Sequence, residues 1–189
     1  IPMILISGNH DGAERLGFGA EQMKSAGLHI ISNFDDMLTP VVINTKVAGD
    51  VAFYGMPYSD PEQVRFAFPS ESTTAIFNEP MANKPIPNKT IPNKTIATHD
   101  QAHKLLAEKI TEQFKPDHRN VLISHCFVDG AIESESERPL SIGGSDRVSH
   151  EHFLNFDYVA LGHLHQPQKK GEEYIRYSGS LMKYSFGEQ

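Results

Sequence analysis

Three short apolar runs in this sequence each end in a small residue that is followed by an amide or imidazole side chain. The stretches are MILISGNHD from Met3, NVLISHCF from Asn120 and DYVALGHLHQP from Asp157. Apolar runs of this length, bounded by turn residues, are typical of buried strands. Ligands of α/β sheets bind beyond the carboxyl ends of the strands. If the three strands share a sheet, their polar ends converge on one site, which favours a layered α/β fold.

The remaining periodicity also predicts an α/β fold, because strands and helices alternate. Predicted strands are Met3–Ile6, Leu28–Ile31, Val41–Val47, Val51–Tyr54, Val121–Ile123, Tyr158–Leu161 and Tyr174–Tyr177. Helices are predicted around Phe18–Ala26 and, most clearly, over His99–Lys115, where the apolar side chains fall on one face. Thr98 and Gln101 have the spacing of a capping box at the start of the second helix.

Composition places the chain among globular proteins, with 39% hydrophobic and 22% charged residues. The net charge of -7 argues against a broad basic face for nucleic acid, although a nuclease whose metal ions neutralise phosphate remains compatible. One cysteine excludes an internal disulfide framework, and we expect a cytoplasmic protein whose apolar runs are too short to cross a membrane. Because the chain starts at Ile1 without an initiator methionine, we expect it to be part of a longer protein.

Residues 69–97 interrupt the pattern of regular elements. Five prolines lie in this range, and the pentapeptide IPNKT occurs twice in tandem over 86–95. Proline-rich stretches of this kind favour an extended surface loop. Asn88 and Asn93 match the N-glycosylation sequon, which carries no function in a cytoplasmic protein.

The polar residues at the three strand ends have the chemistry of metal ligands. Neutral imidazole and amide oxygen suit manganese, iron or zinc. In an extended segment His163 and His165 would point the same way, so each could serve one ion of a two-metal site. Two neighbouring ions suit hydrolysis at phosphorus. His10 could then donate a proton to the leaving oxygen, and Asp11 could hold and polarise the imidazole.

Each of these motifs also has an ordinary structural interpretation. The GNHDG segment could be an Asx-type turn, and a single histidine at a strand end usually lies at the surface. Three such strand ends in one chain favour the metal site.

A nucleophilic pair of Cys126 and His125 is disfavoured, because adjacent strand residues point to opposite faces. The acidic residues at 133, 135 and 137 are interpreted as a solvated loop, and SIGGSD over 141–146 as a glycine turn or an anion-binding nest. Five other histidines do not follow the end of a predicted strand, and we interpret them as surface or helix residues: His99, His103, His118, His150 and His152.

The motifs GNHD, a strand ending in histidine, and GHLH resemble the later motifs of calcineurin-like metallophosphoesterases. The segments SESERPLSIGGSDRVS, FDYVALGHLHQPQ and IRYSGSLMKYSFGE narrow the resemblance to the SbcD/Mre11 family of nuclease subunits. The resemblance covers residues 1–12 and 120–188, and it is looser between them. It implies a four-layer fold of two sheets between helices. It also implies two manganese ions, DNA ends and hairpins as substrates, an SbcC-type ATPase partner, and a homodimer within a heterotetramer.

The resemblance assigns a role to six residues of this chain. It implies that one metal ion is bound by Asn9, His125 and His163, and the other by His165. It implies that His10 is the catalytic imidazole and that Asp11 supports it.

Two motifs of the resembled family are absent from this sequence. The family pattern begins with D-x-H and then G-D-x-x-D, which supply further ligands and the bridging carboxylate, and neither occurs here. Gly49-Asp50 continues differently, and we interpret Asp50 as a turn residue between two strands. We therefore expect residues 1–189 to form a single, partial metallophosphoesterase domain. Two alternatives stay open: a phosphodiesterase for small substrates such as cyclic nucleotides, and a non-catalytic assembly piece of a nuclease complex.

The missing motifs predict that this 189-residue chain alone binds metal weakly and has little nuclease activity, because half of the expected ligands are not in it. Calorimetric titration with Mn²⁺ and a DNA cleavage assay would measure both properties. Two tight sites or strong Mn²⁺-dependent cleavage would contradict the prediction.

Overall fold

A computed structural model describes residues 1–69, 96–132 and 146–182 of the chain. The strands are β1 Met3–Ile6, β2 Leu28–Ile31, β3 Val41–Thr45, β4 Gly49–Met56, β5 His118–His125, β6 Phe127–Val128, β7 Arg147–Val148, β8 Tyr158–Gly162, β9 Gln168–Lys170 and β10 Glu172–Tyr177. The helices are α1 Ala13–Gly17, α2 Ala20–Lys24, α3 Phe34–Met37, α4 Pro61–Ala67 and α5 His99–Thr111, with a 3₁₀ helix over His150–Phe153. The IPNKT repeat, the two sequons, nearly all of the predicted 69–97 loop and the acidic residues at 133–137 lie outside the described residues.

A six-stranded mixed sheet forms the centre of the described structure. Its strand order is β3-β4-β5-β8-β10-β9, with antiparallel strands at both edges and the four inner strands parallel. The carboxyl ends of β4, β5 and β8 therefore lie side by side at one edge of the sheet. The second and third apolar runs, which form β5 and β8, lie side by side in this sheet, because the two strands are hydrogen-bonded to each other.

The first apolar run does not join this sheet. Strand β1 pairs in parallel with β2 in a separate two-stranded sheet, which packs against one face of β4. The condition that all three runs share one sheet is therefore not met, and two sheets are what the resemblance implies. The site instead lies where two sheets meet, so the strand ends converge across the interface between layers.

A glycine permits the close approach of the two sheets. A Cβ atom at Gly55 would lie 2.7 Å from Ile31 Cδ1 and 2.9 Å from Ile6 Cγ2. The neighbouring Tyr54 points to the opposite face of β4, where its ring lies 5.6 Å from Phe114 after the end of α5. Since α2 packs on the outer side of β2, the described layers are helix, two-stranded sheet, six-stranded sheet and helix. This order confirms the predicted α/β/β/α class.

Helix α5 begins where the capping pattern places it. The Thr98 hydroxyl accepts a 3.3 Å hydrogen bond from Gln101 N–H, and the Gln101 side chain accepts one from Ala97 N–H. Regular α-helix ends at Thr111 rather than Lys115, because the last turn tightens to i→i+3 bonds such as Phe114 N–H to Thr111 O. Among the described residues, no helix is both long and apolar enough to cross a bilayer.

Two other local predictions need correction. The helix predicted around Phe18–Ala26 is α2, Ala20–Lys24, which starts after Gly19 with its φ of 75°, and α1 over Ala13–Gly17 was not predicted. Asp50 is the second residue of β4 rather than a turn residue, and its carboxylate accepts a 2.6 Å hydrogen bond from Asn44 Nδ2 on β3. Asp50 thereby stabilises the hairpin, and it lies at the opposite end of β4 from the converging strand ends.

His99 and His103 lie on α5 as interpreted, but they are buried rather than at the surface. His103 Nδ1 bonds to the His99 carbonyl oxygen at 2.8 Å, and no partner for His103 Nε2 exists among the described residues. Burial lowers the pKa of His103 to about 4. His103 therefore stays neutral in the folded protein at neutral pH.

The packing at Gly55 predicts that Gly55→Ala lowers the free energy of unfolding by about 1–3 kcal/mol, because the added methyl overlaps the opposite sheet. Ile31→Val removes the nearest atom, Cδ1, so Gly55→Ala should cost less in that background. Urea unfolding of the four proteins measures both effects, and an equal cost in both backgrounds would show that the two sheets do not press together here.

The buried His103 predicts a loss of stability in mild acid. Its pKa is about 6.5 when unfolded and about 4 when folded. Below pH 6.5 the unfolded state therefore binds a proton that the folded state does not accept until about pH 4. Stability present above pH 6.5 should be lost as the pH falls toward 4. His103→Leu should reduce the pH dependence of the free energy of unfolding between these values by the contribution of one proton. The same slope in variant and wild type would exclude His103 as its source.

Candidate functional site

Asn9 and His125 meet across the interface between the two sheets. Asn9 lies in the turn after β1, His125 is the last residue of β5, and His125 Nε2 is 2.9 Å from Asn9 Oδ1. Asp11 holds the turn, since its carboxylate accepts a 2.7 Å hydrogen bond from Gly8 N–H and its own N–H donates to the Gly8 carbonyl. The structure thus brings together the first and second predicted strand ends.

Two glycines make room for the His125 imidazole. A Cβ atom at Gly8 would lie 2.9 Å from His125 Cε1, and one at Gly162 would lie 3.0 Å from His125 Nδ1. Real Cβ contacts of this length are strongly repulsive, so any larger residue would have to move the ring. Gly8 follows the first apolar run and Gly162 ends the third. Together they define the position of His125, which ends the second run.

His163 joins this cluster through an unusual backbone conformation. It is the residue after β8, and its φ of 102° is the one positive value at a non-glycine residue in the described ranges. The His163 ring centroid lies 5.4 Å from that of His125, at an interplanar angle of 74°. Strained backbone of this kind recurs at functional sites, where the surrounding structure holds it.

The expectation that His163 and His165 point the same way depends on an extended segment, but regular strand ends at Gly162, before both residues. The main chain of His165 is held from the segment after β10, where Ser180 N–H donates to the His165 carbonyl oxygen at 2.9 Å. Gly179, with a φ of 76°, permits this approach, since a Cβ there would lie 2.7 Å from the same oxygen.

His10 lies beside the cluster and is exposed. Its Nε2 is 3.5 Å from Asn9 Nδ2, a long contact that leaves the ring accessible to solvent. The structure therefore places His10 at the mouth of the cluster formed by Asn9, His125 and His163. Asp11 is next to it in sequence, but its described hydrogen bonds are to Gly8.

The electrostatics favour a neutral imidazole at the centre. Burial and, to a smaller extent, the nearby His163 lower the pKa of His125 to about 4, whereas Asp11 opposes the shift. At neutral pH His125 is therefore uncharged, which is the form that binds a metal ion.

The donor set fits one part of a metal site. With bonds of about 2.1 Å, two ligand atoms at right angles around one ion lie about 3 Å apart, close to the 2.9 Å between Asn9 Oδ1 and His125 Nε2. In the described ranges, however, no three His, Cys, Asp or Glu residues are grouped so that they could hold an ion. The cluster is thus an amide and two imidazoles that need further ligands.

A nucleophilic role for Cys126 is excluded by its environment. The residue is buried on the opposite face of the chain from His125, and burial raises the pKa of its thiol to about 12. Such a thiol stays protonated and is a poor nucleophile.

Sequence reasoning missed Tyr58, which follows β4 at the same edge of the sheet. Its ring lies 6.4 Å from the His125 ring, nearly perpendicular to it. The segment MPYSDP that contains Tyr58 also follows an apolar strand and is rich in turn residues. A search for strand ends of every kind, rather than for ligand side chains, would have found it.

The layered α/β/β/α arrangement is compatible with a partial metallophosphoesterase-type α/β fold. The resemblance found in the sequence is confirmed by a curated relative, the SbcD subunit of the nuclease SbcCD from Staphylococcus saprophyticus. The two are 36% identical over 188 residues, which is 100% of this chain and 43% of the relative. This chain therefore spans less than half the length of the relative it matches. No protein-family model matches the chain.

The space that Gly8 and Gly162 leave for the His125 ring, here called the glycine cradle, predicts that Gly8→Ala displaces the ring and breaks its contact with Asn9. Histidine ring signals in ¹H–¹⁵N NMR spectra would report this change, because the imidazole would lose its partner at Nε2. Gly12→Ala is the matched control in the same turn, since its Cβ would meet only Arg15 Cβ at 3.7 Å. Unchanged His125 signals in Gly8→Ala would contradict the cradle.

Proposed function

We propose that this protein is part of a metal-dependent DNA nuclease subunit of the SbcD type, which hydrolyses phosphodiester bonds at DNA ends and hairpins with an SbcC-type ATPase. The observation that carries the proposal is the contact between Asn9 and His125, with His163 beside it, at the carboxyl ends of strands from two sheets. The similarity to a relative named as a nuclease subunit supports the same activity.

Asn9, His125 and His163 would hold one manganese ion, and His165 would contribute to the other. Bound ions would supply Lewis acidity toward the phosphodiester and activate a water. His125 can bind in its neutral form, because burial keeps its pKa low. In the hydrogen bond between them, His125 Nε2–H donates to Asn9 Oδ1. Binding of both atoms to one ion therefore requires the imidazole proton to move to Nδ1.

His10 would transfer a proton to the leaving oxygen. The ring is exposed beside the ligand cluster, so a bound phosphodiester could reach it without displacing a core residue. Asn9 Nδ2 lies 3.5 Å from His10 Nε2, a contact too long to hold the ring rigidly in place. Asp11 would act on this residue indirectly, by holding the turn through its bonds to Gly8.

The charge of the chain supports recognition of phosphate at the ions rather than on a broad basic face. A net charge of -7 repels DNA at long range. Ions at the strand ends would provide positive charge where the scissile phosphate lies, and a partner subunit would make further contacts with the DNA. This division of roles favours the nuclease as one subunit of a larger assembly.

The proposal predicts that His10→Gln lowers kcat for Mn²⁺-dependent cleavage of hairpin DNA by roughly 10²–10⁴-fold, the usual contribution of a general acid. The assay uses the full-length gene product together with the ATPase subunit. His29→Gln is the control, since His29 lies on β2 before the strand's carboxyl end. Mn²⁺ affinity should be unchanged in both variants.

Three results would decide against parts of this proposal. Full activity of His10→Gln would remove the proton-transfer role. Cleavage of an aryl phosphodiester without cleavage of DNA would favour a phosphodiesterase for small substrates. Absence of both metal binding and cleavage in the full-length protein would favour a non-catalytic assembly piece.

A further inference from the structure

Tyr58 touches both halves of the ligand cluster, although it is not a metal-ligand type. Its backbone N–H donates a 2.8 Å hydrogen bond to the Ser7 carbonyl oxygen, directly before the turn that carries Asn9. Its ring packs edge-on against the His125 ring, at 6.4 Å between centroids and 83° between planes. One residue therefore contacts the ends of β1 and β5, which belong to different sheets.

The Tyr58 hydroxyl is anchored in turn by a buried histidine. It lies 3.2 Å from His99 Nε2, and the two rings are 5.9 Å apart. His99 is the first residue of α5 and is buried. Burial raises the pKa of Tyr58, and Asp60 and Asp146 raise it further, so the hydroxyl keeps its proton and can donate it to His99.

The route of the chain explains why Tyr58 is at this place. Strand β4 runs parallel to β5 with Met56 opposite Ser124, so the chain leaves β4 beside His125. The segment then turns sharply into α4, and the buried Ser59 hydroxyl donates to the Pro57 carbonyl oxygen at 2.7 Å. This fixed turn directs the Tyr58 ring over the strand end.

We infer that Tyr58 is a positioning residue of the site, which keeps the His125 imidazole in contact with Asn9 through its ring and its hydroxyl bond to His99. The inference rests on the proposed function where it concerns metal affinity, and on geometry alone where it concerns the metal-free protein. Groups that orient metal ligands typically change affinity by 10–100-fold when removed.

Tyr58→Phe tests the inference with the smallest change, because it removes only the hydroxyl and keeps the ring. Tyr54→Phe is the matched control: Tyr54 lies on β4, the strand that precedes Tyr58, and its hydroxyl donates at 3.2 Å to the Gln113 carbonyl oxygen, on the face away from the site. Both variants lose one hydroxyl hydrogen bond, so their losses of stability should be similar. Only the Tyr58 variant should affect the site.

Two measurements on the full-length protein separate the inference from the proposed function. Calorimetric titration with Mn²⁺ should show affinity about tenfold weaker in Tyr58→Phe and unchanged in Tyr54→Phe. In the metal-free protein, the His125 ring signals in ¹H–¹⁵N spectra should move in Tyr58→Phe and stay in place in Tyr54→Phe. If the wild type binds no Mn²⁺, the proposed metal site fails, and the spectra alone decide the positioning role.

A double variant tests the anchor. His99→Gln should shift the same His125 signals. Adding Tyr58→Phe to it should cause little further change, because both substitutions remove the same hydrogen bond between the Tyr58 hydroxyl and His99. Additive shifts, or His125 signals that do not move in Tyr58→Phe, would overturn the inference.

Discussion

The His125 imidazole is held in a space that exists only because Gly8 and Gly162 lack side chains. Gly8 follows a strand of the two-stranded sheet and Gly162 ends a strand of the six-stranded sheet, so the ring can occupy this space only when the two sheets are packed at their native distance. Gly55 sets that distance on β4, where Ile6 and Ile31 approach the backbone closely. The site geometry is therefore a consequence of packing between layers rather than of any single turn.

The same packing determines the chemistry of the cluster. Enclosure between two sheets removes water from His125, and desolvation disfavours the charged form of an imidazole. A neutral ring next to an amide oxygen is a ligand pair for a transition metal. The exposed His10, one residue from Asn9, remains in contact with solvent. One short turn thus carries a group suited to binding metal and a group suited to moving a proton.

Much of the fold was predictable from short-range pattern. Apolar runs located β1, β2 and β8 almost to the residue, since buried strands need unbroken apolar segments. Capping chemistry located the start of α5 for an equally local reason. The sheet to which β1 belongs could not be read from the sequence, because an apolar run does not reveal its hydrogen-bonding partner. The burial of His99 and His103 was also missed, since a polar residue on an apolar helix face gives no sign of its depth.

The sequence by itself determined which side chains stand at the ends of strands, and hence that Asn9, His125 and His163 were candidates for one site. Strand length, turn residues and ligand chemistry are local properties, and they can be read from neighbours along the chain. Only the tertiary structure decided how these residues meet: across two sheets, around glycines that leave space for one ring, and with Tyr58 packed against it. Contacts between residues as far apart in the chain as Asn9 and His125 depend on how whole layers pack, and no local pattern encodes that packing.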